Sequence, residues 1–128
     1  MKKSFFPILF SLLLVSCSES FITLDPSDFN KKIADRTDIE TPEQLITLFY
    51  DSPSDEAKPH FTFQTNDLGD NKYEITMTDD HLEDDAQAAV KIVMKAIHSG
   101  QHWKILELKK NWKCWDGYGH TDWGIGHC

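Results

Sequence analysis

The chain has 128 residues and a mass of 14.8 kDa, 40% hydrophobic and 27% charged, which suits one ordinary domain and is too little for two. Lys and Arg total 13 against 21 Asp and Glu, for a net charge of −8. So acidic a surface repels phosphate backbones and anionic headgroups, which argues against nucleic acid as a partner and against a basic patch as a membrane anchor.

Met1-Lys2-Lys3 is a positive start, and Phe5 to Val15 follows as an almost unbroken apolar run ending at Ser16-Cys17. A membrane-crossing helix needs about 20 apolar residues, so this run is too short for a permanent span. A basic start, a short apolar stretch and small residues before a cut form a secretory signal layout, and residues 1–16 are expected to be removed. Taking Lys2 and Lys3 from the net charge of −8 leaves −10. Leu14-Val15-Ser16-Cys17 resembles the lipobox of bacterial lipoproteins at all four positions. A thiolate can accept a diacylglyceryl group, and small residues before it let the chain lie in a peptidase cleft. The resemblance implies acylation of Cys17, which becomes the first mature residue. Ser18, in place of the aspartate that retains such proteins at the inner membrane, implies lipid anchoring at the periplasmic side of the outer membrane. Each buried methylene contributes about 0.8 kcal/mol, so two or more acyl chains hold a protein durably. An ordinary signal peptide with an incidental cysteine is the competing reading.

Residues 17–39 read as a lipidated N-terminus and tether, with Asp25-Pro26-Ser27-Asp28 as a turn or helix start and Phe29 and Ile33 spaced for one or two helical turns. The domain proper is expected over residues 40–128. Thr41-Pro42-Glu43-Gln44 has Thr at the N-cap, Pro at N1 and Gln at N3, the pattern of a capping box. A helix should run from there through Leu45, Ile46, Leu48, Phe49 and Tyr50 to about Asp51. Ser52-Pro53-Ser54-Asp55 is a break. Phe61 and Phe63, then Tyr73, Ile75 and Met77, alternate with polar residues on either side of a stretch containing Gly69, which predicts a β-hairpin.

The run from Ala86 to His98 fits a helical stripe (Ala86, Ala89, Val90, Val93, Met94, Ile97) and also strand alternation (Val90, Ile92, Met94, Ala96). The strand reading is preferred, because Ser99-Gly100-Gln101 is a short glycine-containing link to a second β-rich run from His102 toward Trp112. Asp79, Asp80, Glu83, Asp84 and Asp85 lack the spacing and central glycine of an EF-hand loop and read as a solvated turn.

All four tryptophans (Trp103, Trp112, Trp115, Trp123) fall in the last quarter of the chain. Gly117, Gly119, Gly124 and Gly126 make the final segment a loop. Three cysteines are an odd number for an exported chain. With Cys17 acylated, Cys114 and Cys128 remain to form a disulfide, worth roughly 3 kcal/mol by the chain-entropy argument for a loop of this length. The alternative is a metal site in which these cysteines join His120, Asp122 and His127, although no pair has the spacing of a known zinc motif. His120 can instead hold the loop through backbone carbonyls. Most of the aromatic residues are expected in the core. Trp115, Tyr118, His120 and Trp123 are the candidate binding residues, Trp115 and Tyr118 being the two expected to be exposed.

The Trp103-led strand, Cys114, the Gly117-Tyr118-Gly119-His120 loop, an aromatic residue, the final Cys128 and the earlier Asp84-Asp85 pair together resemble the C-terminal part of a family of small exported bacterial proteins. In that family arginine is common at the position of Tyr118. The resemblance implies a fold and no activity, and it favours a strand at Ala86 to His98. Catalytic motifs are missing: there is no Gly-x-Ser-x-Gly, no His-Glu-x-x-His and no phosphate loop.

The expected fold is α+β, an antiparallel meander of about four strands around one main helix in a cystatin-like manner, with the C-terminal loop closed by Cys114 and Cys128. The expected function is a non-enzymatic, lipid-anchored binding module, of inhibitor, immunity or assembly type, that needs no metal or cofactor and takes a basic envelope protein as partner. A metal-binding or hydrolytic role for the His120 to Cys128 loop is the alternative. Mass spectrometry of the protein from membranes of a host that processes lipoproteins should find Cys17 at the N-terminus carrying acyl chains. A chain starting at Met1, or an unmodified Cys17 thiol, would refute the anchor.

Overall fold

The computed structural model describes residues 18–50, 61–80, 82 and 84–128. Cys17 and the segment expected to be removed lie outside the described residues.

Two tight hairpins organise the chain. Asp70 and Asn71 both have positive φ, 55° and 61°, the left-handed pair that a two-residue type I′ turn requires and that Asp and Asn tolerate better than other side chains. They join β2 (Phe61–Gly69) to β3 (Lys72–Asp79) in the hairpin expected from the alternation of apolar residues. The second hairpin turns at Gly100-Gln101, with φ 62° at Gly100, and joins β4 (Gln87–Ser99) to β5 (His102–Cys114). Strand alternation wins over the helical stripe in residues 87–99 because this chain pairs with β3 on one side and β5 on the other. A helix there would strand the hydrogen-bonding edges of both neighbours.

The sheet has five antiparallel strands in the order β1-β5-β4-β3-β2. The fold class is therefore α+β, and the four-strand meander gains a fifth member. That member, β1 (Ile22–Leu24), comes from the stretch expected to be a tether. The same stretch supplies α1 (Ser27–Ile33) and two core side chains, Ile33 and Ile39. The folded unit thus includes residues 22–39, and two short helices take the place of one main helix. The tether reading fails because these apolar residues are few and widely spaced locally, yet each meets a nonlocal partner.

The second helix, α2 (Pro42–Phe49), is closed as its sequence dictates. Gln44 N–H donates to Thr41 Oγ1 at 3.2 Å while Gln44 Oε1 accepts from the Thr41 N–H at 3.3 Å, and Pro42 fills the first turn. Leu45 and Ile46 are fully buried against the sheet. The core joins them to Ile33 and Ile39 and to the helix-facing side chains Ile75, Met77, Ile92, Met94, Ala96, Trp103, Ile105 and Leu108. Trp103 anchors this layer: its indole N–H donates to Ile39 O at 2.9 Å, and the His98 ring stacks on it at 4.3 Å. Tyr50, which follows α2, donates its hydroxyl to buried Asp79 at 3.1 Å. Burial, with the nearby Asp79 carboxylate, raises the Tyr50 pKa and keeps the hydroxyl protonated as a donor.

The opposite face carries charge. Lys95 on β4 lies between Glu74 on β3 (3.9 Å) and Glu107 on β5 (3.4 Å). Exposed pairs of this kind contribute about 0–1 kcal/mol each, so these ion pairs are a minor source of stability. No helix among the described residues is long and apolar enough to cross a membrane.

One side chain stands in for a strand. Where β1 ends, Asn30 of α1 accepts from the Ile105 N–H at 2.8 Å and donates to Ile105 O at 3.0 Å, continuing the ladder along β5. Asn30→Ala leaves both backbone groups of a nearly buried residue unpaired and is expected to cost about 1–3 kcal/mol. Chemical denaturation and faster exchange of the Ile105 amide should report that loss, and an unchanged stability would show that the clamp contributes nothing.

Candidate functional site

Beyond Cys114 the chain folds back along the edge of β5. Trp112 and Gly124 exchange backbone hydrogen bonds, both at 3.0 Å, and the Cys114 N–H donates to His120 O at 2.9 Å. Cys114 and Cys128 form the expected disulfide, with Cα atoms 5.3 Å apart. The loop is thus paired to the sheet at two points and closed covalently at a third.

His120 fills the inside of this loop. Its Nδ1 lies 2.8 Å from Asp122 O and its Nε2 3.0 Å from Gly126 O. Carbonyl oxygens only accept, so both contacts are hydrogen bonds only when both ring nitrogens carry hydrogen, that is, in the imidazolium. The carbonyls of Asp122 and Gly126 accordingly raise the His120 pKa. The ring lies close to the backbone: a Cβ at Gly124 would come within 3.3 Å of it and one at Gly126 within 3.1 Å. Close approach therefore accounts for glycine at both positions.

The four candidate binding residues do not form one surface. Trp115 and Tyr118 are exposed, at 43% and 58%, as expected. Trp115 also donates its indole N–H to Asp84 O at 2.8 Å, which fixes the ring beside the acidic turn. His120 is occupied by its two carbonyls. Trp123 is half-buried, with two cations near its ring, Lys91 Nζ at 4.3 Å and Lys113 Nζ at 4.6 Å from its centroid. His120 and Trp123 therefore hold the loop together. Their partners, a pair of carbonyls and two lysines from different strands, are brought in by tertiary structure.

The metal alternative can be weighed on the same geometry. Cys114, His120 and Cys128 bring their ligand atoms within 4.8 Å of one another. Both sulfurs are joined in the disulfide, which removes both thiolates from that ligand set. Both imidazole nitrogens face carbonyl oxygens, so neither offers a lone pair outward.

A second site has no sequence signature. Between α2 and β2 lies a groove of about 430 Å³ lined by Ile39, Leu48, Phe63, Asp38, Glu43 and Thr47, among others. Leu48 and Phe63 are 43% and 42% exposed. Glu43 accepts from the Thr65 hydroxyl at 2.6 Å, which links helix to strand across the groove. Arg36, at one end, is engaged by Asp38 through two hydrogen bonds, at 2.9 and 2.6 Å. Along the outer side of β2 no strand pairs among the described residues. The exposed Phe63 and the capped helix are visible in the sequence, but their meeting depends on the β2–β3 register.

Comparison with known proteins gives no match to any family model, curated protein or solved structure.

His120 should titrate above the ordinary histidine value of about 6.5. Because the folded-state pKa is the raised one, the stabilisation of the loop is complete below about pH 6.5 and is lost as the pH rises through the elevated value. NMR titration of the His120 ring, with amide exchange over residues 120–128, should show the loop loosening toward alkaline pH, and His120→Gln should remove that dependence. A His120 titrating at or below the ordinary value would refute the imidazolium clamp.

Proposed function

We propose that this protein is a lipid-anchored envelope lipoprotein, held at the periplasmic side of the outer membrane, that binds a basic protein partner as an inhibitor, immunity or assembly module. In this reading the meander packed on its helices is of the cystatin-like kind, with the helical layer split into α1 and α2. The groove between α2 and β2, continuous with the open edge of β2, carries the proposal. An open sheet edge can accept an extended segment through main-chain hydrogen bonds, with pockets beside it selecting side chains. Here the pocket combines apolar Leu48 and Phe63 with the carboxylate of Glu43, Asp38 being paired with Arg36. That combination suits a lysine or arginine, whose aliphatic stem covers the apolar surface while its charged head reaches a carboxylate. A net charge of −8, or −10 without Lys2 and Lys3, steers such a partner toward the surface and accelerates encounter.

A photo-crosslinking side chain at position 63 should capture a basic envelope protein at low salt. Capture should fall several-fold at high salt, where charges are screened beyond about 10 Å at 0.1 M and about 3 Å at 1 M, and should be lost on Glu43→Lys. The same crosslinker at Glu107, on the charged face, should capture little. Equal capture from both faces, or capture insensitive to both salt and Glu43→Lys, would overturn the proposal.

A further inference from the structure

The described chain starts beside the C-terminal loop. In the antiparallel pairing, Ile22 lies opposite Lys110 and Leu24 opposite Leu108, so residues before Ile22 run toward Cys114, the end of β5 from which the loop emerges. Glu19 is fixed there. Its carboxylate accepts from Lys91 Nζ at 2.8 and 3.0 Å and from Asn111 Nδ2 at 3.2 Å. The Lys91 hydrogen bonds are the main cause of its lowered pKa, which keeps it ionised. Asn111, fully buried, also donates to Ser20 O at 3.1 Å. Ser18, Glu19 and Ser20 line a cleft of about 330 Å³ together with Asp122 and Trp123 of the loop.

This geometry sets a reach. Two residues span at most about 7 Å when fully extended, so position 17 lies within about 7 Å of the Glu19 Cα. The described chain thus begins, at Ser18, at the end of the sheet where the loop projects. That end presents Trp115, Tyr118 and Ile125, at 43%, 58% and 43% exposure. Trp and Tyr rings settle at the level of lipid headgroups because each combines an apolar body with a polar tip. Asp84, Asp85, Asp116 and Asp122 belong to the same region, so attraction to anionic lipid does not account for the contact.

We infer that the disulfide-closed loop of residues 115–128 rests on the bilayer, with Trp115, Tyr118 and Ile125 in the headgroup layer of neutral phospholipid. The inference rests on the lipid anchor at Cys17 proposed above. Anchor and loop act together: the acyl chains supply attachment, and the aromatic residues fix which end of the sheet faces the membrane.

The test uses the acylated full-length chain in vesicles of phosphatidylcholine brominated near the glycerol end of its acyl chains. Flotation of the chain with the vesicles reports the anchor. Indole fluorescence reports the loop, since bromine quenches only rings that enter the headgroup and upper acyl region. The floated chain should be quenched, Trp115→Phe should lose most of that quenching, Tyr118→Trp should increase it, and high salt should leave it unchanged. A chain that floats but is not quenched, or that is quenched only at low salt, overturns the loop contact and leaves the anchor standing. A chain that does not float overturns the anchor and the contact with it.

Discussion

The outer edge of β5 is the constraint on which the rest of the architecture depends. A thirteen-residue strand at that position presents a long row of backbone donors and acceptors, and burying them unpaired would cost more than the fold could offset. Different parts of the chain divide the task. The Asn30 amide serves Ile105, β1 serves residues 108–110, Gly124 serves Trp112 and the His120 carbonyl serves Cys114. Both ends of the described chain are therefore drawn to one strand, and this brings Ser18 beside Trp123. The acidic surface, the helices and the groove are built on a sheet whose edge is already closed by these contacts.

Features coded by neighbouring residues were legible in the sequence. The capping box of Thr41 and Gln44, the two hairpins and the pairing of Cys114 with Cys128 need only local spacing or a count of thiols, and each is present as expected. The exposure of Trp115 and Tyr118 also followed from their glycine-rich surroundings. What was not legible depends on contacts across long separations. Three residues, Ile22–Leu24, are too short a run to announce a strand, and they become one only because β5 has an open edge. Asn30 reads as an ordinary polar helix residue, and its use as a substitute strand is set by a residue 75 positions away. The contacts of Trp123 with Lys91 and Lys113 depend on two separate strands. The groove was hidden for the same reason, since Leu48 and Phe63 lie on different elements and neither carries a motif.

The C-terminal loop is held by three kinds of force that respond to different conditions. The disulfide answers to redox potential, the His120 clamp to protonation, and the lysine contacts of Trp123 to desolvation of the ring faces, where cation–π attraction is about 0.5–1 kcal/mol at exposed sites and larger when water is excluded. All three act on fourteen residues that include four glycines. Acting together they keep the exposed aromatic residues on a fixed platform, which lowers the entropy lost when such residues engage a surface.

Strand order has a consequence for traffic at the envelope. β1 and β2 occupy opposite edges of the five-stranded sheet, and four inter-strand spacings of about 4.8 Å separate them by about 19 Å. Under the proposed function, the lipid-facing loop and the partner's groove lie at opposite edges of the sheet. The tethered molecule then scans a thin layer of fluid above the leaflet, and a soluble cationic protein must enter that layer to be intercepted.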